Sequence, residues 1–203
     1  EEQVLPQVLP EAIGFCERMD WQLIVVDDGS SDRTREIIRE HANPRLTLVT
    51  HKVNRGYGGA LKSGINAAET EYVVTVDADG QHRLEDLPVL LEGLHQADAD
   101  MVVGSREHAA EKGSLYRRTG KALIRGVARL LLPLPIHDLN SGLKLYRTDL
   151  AKKYIRLCPD SMAFSDIITL IFISERCKVI EMPIEIRPRA GGVSTIGVQT
   201  AME

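Results

Sequence analysis

Tyr72-Val73-Val74-Thr75-Val76-Asp77-Ala78-Asp79-Gly80-Gln81-His82 carries an apolar, largely β-branched run that stops at two carboxylates one residue apart, followed by a glycine. A run of this length bounded by turn formers predicts a buried strand of an α/β protein. In such sheets ligands gather beyond the carboxyl ends of the strands, which is where Asp77 and Asp79 fall. Alternation along an extended backbone puts both side chains on one side, so together they can offer oxygen ligands to one hard divalent cation. An acidic turn closing a core strand explains the same residues equally well.

Outward from this stretch the pattern repeats. Towards the N-terminus, Val4, Leu5, Val8, Leu9, Ala12, Ile13 and Phe15 recur at helical spacing, with Pro6 and Pro10 predicting an irregular start. The strand Gln22 to Val26 ends in Asp27-Asp28-Gly29-Ser30-Ser31-Asp32, and Arg33 to His41 follows as a helix with Ser31 or Asp32 as N-cap. Leu46 to Thr50 is a further strand, and Asn54-Arg55-Gly56-Tyr57-Gly58-Gly59-Ala60 leads into a helix with Leu61, Ile65 and Ala68 on one face. Towards the C-terminus come a helix over Leu84 to Gln96 and a strand over Asp100 to Gly104. Alternation of this kind predicts a mostly parallel central sheet with helices on both faces. Beyond it lie a basic helix, roughly Leu115 to Leu132, and the polar turn Ile136-His137-Asp138-Leu139-Asn140-Ser141-Gly142 before the strand Leu143 to Tyr146. An apolar helix opens at Ser165-Asp166, and a last strand over Val179 to Arg187 is broken at Pro183. No repeat or linker divides the 203 residues, so one domain is expected.

Composition narrows the class. The apolar fraction of 43% supports an ordinary core, and a formal charge of −4 argues against a broad nucleic-acid-binding surface. The cluster Arg117, Arg118, Lys121, Arg125 and Arg129 still provides a local place for an anionic ligand. Three widely spaced cysteines form neither a disulfide framework nor a zinc ribbon, which fits a reducing cytoplasm. No apolar run approaches the ~20 residues of a membrane span.

Two further strand ends carry chemistry. Asp27 and Asp28 have the position from which a carboxylate accepts hydrogen bonds from a nucleoside, although Asp, Gly and Ser equally favour a helix-capping turn. Gly56 to Ala60 precedes a helix and suits close backbone approach to an anion, but Leu61 excludes the G-x-G-x-x-G pattern.

The order Val26 to Asp32, Asn54 to Ala60, Val76 to His82, Val103-Gly104-Ser105-Arg106 and Asp138-Leu139-Asn140-Ser141-Gly142-Leu143-Lys144 resembles the family 2 glycosyltransferases with the Rossmann-like GT-A fold. Within them it resembles the polyprenyl-phosphate sugar transferases of the dolichol-phosphate mannose (or glucose) synthase type. The resemblance implies an inverting hexosyltransferase. Its donor would be a nucleotide-diphosphate sugar and its acceptor a polyprenyl phosphate at the cytoplasmic face of a membrane, contacted peripherally. It places Mg²⁺ or Mn²⁺ at Asp77, Asp79 and Gln81, the nucleotide sugar at Asp27, Asp28, Gly56, Gly58, Asp77, Asn140 and Ser141, and the acceptor phosphate at Arg106, Arg117 and Arg189. Asp79, Arg117 and Asp166 are the catalytic candidates, Asp166 as general base should the acceptor be a hydroxyl. An acid in a first helical turn is also favoured by the helix dipole alone. The family begins with a strand ending in a Pro-x-Tyr-Asn-Glu-like segment, so a chain starting at Glu1-Glu2 is expected to lack its first strand. Thr195 stands where the family's Gly-x-Ser-Lys loop has lysine. Two other readings remain. A phosphatase of the haloacid-dehalogenase type would use Asp77 as nucleophile and Asp79 as acid/base, and a non-catalytic nucleotide-binding relative would keep the fold alone.

Overall fold

A computed structural model of the chain describes residues 2–106 and 136–188. The basic helix with Arg117, and the tail with Arg189 and Thr195, lie outside the described residues.

The elements run in the order α1 (Leu5–Met19), β1 (Leu23–Asp27), α2 (Thr34–Glu40), β2 (Leu46–Thr50), α3 (Tyr57–Ala67), β3 (Tyr72–Thr75), α4 (Asp86–Ala97), β4 (Met101–Ser105), β5 (Lys144–Arg147), α5 (Thr148–Tyr154), a short 3₁₀ turn (Ile155–Leu157), α6 (Phe164–Ser174) and β6 (Val179–Pro183). Every strand read from the sequence in the described residues is present. α5 and the 3₁₀ turn are additions, and β6 stops at Pro183, where a residue without an N–H cannot extend a ladder.

α1 is regular from Leu5 rather than irregular at its start. Pro6 sits in the first turn, where its missing N–H would have had no partner in any case, and Pro10 lies on the exposed side. The N-cap of α2 is Arg33, not Ser31 or Asp32, although Asp32 Oδ1 accepts the Thr34 N–H at 3.0 Å and so satisfies one donor of the first turn.

The sheet differs from the expectation of one mostly parallel layer. β1 and β2 form a parallel pair of their own, and β3-β5-β4-β6 form a four-stranded sheet in which β4 and β6 are parallel while β5 runs antiparallel to both β3 and β4. Local periodicity reports that a segment is a strand, not which way its neighbours run. Direction is set by the connection, and the long route from β4 to β5 permits an antiparallel return.

Successive residues of the central strands serve opposite faces, and helices cover both, as expected. Met101 and Val103 of β4 and Tyr146 of β5 pack with Ile65 of α3, Tyr154 of α5 and Ile168 and Phe172 of α6. Val102 and Leu145 pack on the other side with Phe15 of α1 and Leu90 and Leu94 of α4. β4 is buried along its whole length, as a central strand between two helical layers must be.

Candidate active site

β3, β4 and β5 bring their chemistry to one edge because β5 is reversed: residues before its first residue arrive where β3 and β4 finish. Thr75, the last residue of β3, pairs in register with Lys144, and its hydroxyl donates to Gly142 O at 3.0 Å and Lys144 O at 3.3 Å. The Asp138–Gly142 turn is thereby stitched to the start of the acidic motif.

Beyond Thr75 the chain leaves the extended conformation, and Ala78 and Asp79 form a turn. Alternation therefore does not relate Asp77 to Asp79, and the geometric step that joined them as one face fails. Asp77 is instead clasped from three sides. Tyr57 Oη donates to Oδ1 at 3.2 Å, His82 Nε2 lies 3.8 Å from Oδ2, and Gly142 packs so closely that a Cβ there would sit 2.8 Å from the carboxyl carbon. Burial alone would raise the Asp77 carboxyl, but His82, the Tyr57 hydroxyl and the Arg106 charge outweigh it and hold Asp77 below the usual carboxylate range. Its side chain keeps 38% exposure, so an ionised, oriented carboxylate still faces solvent. Burial and the Asp77 charge raise the Tyr57 phenol, which stays a hydrogen-bond donor. The His82 imidazole is buried, and its Nδ1 has no hydrogen-bond partner. Asp79 Oδ1 accepts the Gln81 N–H at 3.0 Å, which closes the turn.

At the end of β1 the two acids have separate surroundings. Asp27 is buried, accepts Ser30 N at 2.9 Å and pairs with Arg35 Nε at 2.6 Å. Burial acts to raise its carboxyl, while Ser30 and Arg35 lower it further than burial raises it. Asp28 accepts Arg55 N at 2.9 Å and Gly56 N at 2.8 Å, and meets His51 Nδ1 at 2.6 Å, whose Nε2 reaches Ser63 Oγ at 2.8 Å. It holds the glycine loop in place.

The glycines themselves serve packing between chain segments. Gly58 N and Gly59 N both donate to Asp160 O, at 2.8 and 3.2 Å, so the N-terminus of α3 is occupied by a carbonyl of the chain, not presented to an anion. A Cβ at Gly58 would overlap Pro159 O and lie 2.8 Å from Asp160 C, and Gly56 adopts φ of 87°. Lys62 Nζ clamps the same segment through Cys158 O and Asp160 Oδ1, both at 2.5 Å.

Arg106, expected to meet acceptor phosphate, forms a two-pronged pair with Asp138, Nε to Oδ2 at 2.7 Å and Nη2 to Oδ1 at 2.9 Å. Burial would raise Asp138, and Arg106 draws it below the ordinary range. Glu181 of β6 accepts His137 N at 2.9 Å and Asp138 N at 2.7 Å. Asn140 is exposed and its carbonyl meets Arg106 Nη2 at 3.3 Å. Ser141 is fully buried and exchanges hydrogen bonds with Leu143, so it shapes the turn and does not line an open surface. Asp166 is in the first turn of α6, half-buried, near Lys144. Tyr57, His51 and Lys144 escaped sequence reasoning. Of the three, Lys144 gave a signal, a charge between Leu143 and Leu145 in the run Leu143 to Tyr146 read as a strand.

Asp77 and Asp79 with the Gln81 amide make a hard-oxygen donor set. Among the described residues no group of three or more His, Cys, Asp or Glu is placed to hold a metal. Carboxylate oxygens are the donors that Mg²⁺ or Mn²⁺ takes from a protein where substrate phosphates and water supply the rest of the shell.

A mixed sheet covered on both faces with acids at its strand ends is the GT-A glycosyltransferase architecture. It is shared with a mannosyltransferase from Pyrobaculum calidifontis, in complex with GDP-Man and Mn²⁺, at a TM-score of 0.65 and 21% identity over 94% of this chain and 55% of that one. The glucosyl-3-phosphoglycerate synthase of Mycobacterium tuberculosis superposes at 0.63, with 20% identity over 84% of this chain and 61% of that one. The glycosyl transferase family 2 model matches residues 1–155, and the chain belongs to that family. It is 32% identical over 203 residues to the undecaprenyl-phosphate 4-deoxy-4-formamido-L-arabinose transferase of Edwardsiella ictaluri, covering 98% of this chain and 60% of the relative. It is 29% identical to a dolichyl-phosphate beta-glucosyltransferase of Trichomonas vaginalis over 91% of this chain and 62% of that protein. The chain thus spans about three fifths of the length of these relatives. Family membership sets aside the phosphatase reading.

Proposed function

We propose that the chain forms a single GT-A domain that moves a hexosyl group, with inversion, from a nucleotide-diphosphate sugar to a polyprenyl phosphate at a cytoplasmic membrane face. The observation that carries this reading is the clasped, ionised Asp77, held at the strand edge by Tyr57, His82 and the Asp138–Gly142 turn. The relatives' names support the acceptor class, and the structural neighbours' bound ligands support a nucleotide sugar with a divalent cation. When bound at Asp77, Asp79 and Gln81, Mg²⁺ or Mn²⁺ supplies charge stabilisation to the departing nucleoside diphosphate. The chain's own part is positional. Asp77 stays deprotonated and aimed, the Asp28 knot fixes the loop beside it, and Asp138 with Arg106 sets the turn opposite. A phosphate monoester acceptor is largely ionised at neutral pH and needs no strong base. Among the described residues no helix is long and apolar enough to cross a membrane.

A second reading has a hydroxyl acceptor with Asp166 as base. It is favoured by the commitment of the Arg106 guanidinium to Asp138, which removes one expected phosphate contact. One experiment separates the two. A panel of nucleotide sugars is offered with Mn²⁺ to either a short-chain polyprenyl phosphate or the corresponding polyprenol. Transfer to the phosphate supports the first reading, transfer to the alcohol the second, and transfer to neither with nucleotide binding intact supports a non-catalytic relative.

A further inference from the structure

Lys144 is the one lysine among the described buried residues, 1% exposed at the head of the central strand β5. A buried ammonium is costly, and a strand position facing two helical layers is ordinarily apolar. Its side chain spans two segments: Nζ donates to Leu139 O at 2.7 Å, inside the Asp138–Gly142 turn, and to Ser165 O in the first turn of α6. Burial pulls the Lys144 amine down to about 7, with Arg106 after β4 acting the same way, while Asp166 on α6, Asp138 in the turn and Asp77 after β3 draw it back up. Ser165 Oγ is also 3.5 Å from the Tyr57 hydroxyl that holds Asp77. The turn that Lys144 grips is the one whose Gly142 rests on Asp77.

We propose that Lys144 is a positioning residue for sugar transfer: its Nζ, donating to both segments, fastens the Asp138–Gly142 turn to the start of α6, so that Asp77 and Asp166 keep a fixed separation across the site. Its kinetic consequence rests on the proposed transferase activity, whereas the clamp itself does not. Misplacement of reacting groups by a fraction of an ångström lowers turnover more than binding. Methionine, apolar, unbranched and one atom shorter, removes the clamp without putting a new polar group in the core, and leaves the Leu139 and Ser165 carbonyls without this donor.

The test uses the full chain and Lys144→Met. Expected are amide hydrogen exchange in residues 138–142 and 164–168 faster by about tenfold, a melting temperature lower by only a few degrees, and kcat down by about tenfold at a donor KM within about twofold. Unchanged exchange in both segments overturns the proposal, as does an unchanged kcat. Faster exchange in a protein whose unsubstituted form transfers no sugar upholds the clamp and removes the transferase reading instead. Should Lys144→Met not fold, Lys144→Gln, which retains a shorter donor, is read by the same two measurements.

Discussion

Gly58→Ala tests why α3 opens on glycines. A Cβ at this position would overlap Pro159 O and approach Asp160 C to 2.8 Å and Asp160 Cα to 3.0 Å, all of them backbone atoms that cannot rotate away. Overpacking of this kind costs roughly 1–3 kcal/mol. Displacing α3 from Asp160 also weakens the bonds from Gly58 N and Gly59 N, each contributing about 1 kcal/mol. Alanine returns about 1 kcal/mol of helix propensity. The net expectation is a loss of about 2–3 kcal/mol, or a fall in urea midpoint of about 1 M for an m-value near 2 kcal/mol/M. Gly64→Ala is the matched control, because its Cβ would meet only Val26 Cγ2, at 3.3 Å, and the same propensity gain applies. It should be neutral or slightly stabilising. Equal midpoints for Gly58→Ala and the unsubstituted protein, with loss of nucleotide binding alone, would refute the packing argument and restore these glycines to a ligand.

Arg35→Ala leaves the buried Asp27 carboxylate without its cation and should cost about 3 kcal/mol in denaturant unfolding. Arg106→Ala should destabilise by about 1 kcal/mol, since the guanidinium is itself partly exposed. Asp138 is lowered in the folded state, so the Arg106 contribution is fully present above the unfolded carboxyl pKa of about 3.9 and is lost progressively as pH falls from there through the lower folded pKa. Unfolding curves from pH 7 downward should therefore show an Arg106→Ala deficit that is constant above about pH 4 and shrinks below it. Asp79→Ala should abolish Mn²⁺-dependent nucleotide diphosphate binding in calorimetry while leaving the melting temperature within a few degrees, and binding that is equal with and without metal would remove the proposed site.

Strands and helices were legible because they depend on neighbouring residues: Tyr72 to Thr75 is apolar and β-branched, and Leu87, Leu90 and Leu94 repeat at helical spacing. The acids at the ends of β1 and β3 were legible for the same reason. Partnership was not. Gly58 owes its identity to Pro159 and Asp160, about a hundred residues away, and nothing local distinguishes that contact from a phosphate. Arg106 looked like a cation awaiting an anion because its anion, Asp138, lies in a turn whose placement needs the antiparallel β5. The alternation argument for Asp77 and Asp79 failed where the strand ended early, at Thr75. Ser141 looked like a polar lining residue and is fully buried, because turn-forming chemistry and ligand-binding chemistry use the same side chains.

The position of β5 between β3 and β4 also bears on how the chain is made. β3 and β4 are both synthesised once Ser105 has left the ribosome, yet they share no hydrogen bonds, and the strand that joins them is finished only at Arg147. At ordinary elongation rates this interval lasts about 2–8 s. Throughout it the nascent chain carries two apolar strands with open edges, the type of surface that chaperones bind and that pairs wrongly with other chains. The strand that gathers the site in the finished protein is thus also the step for which the growing protein must wait.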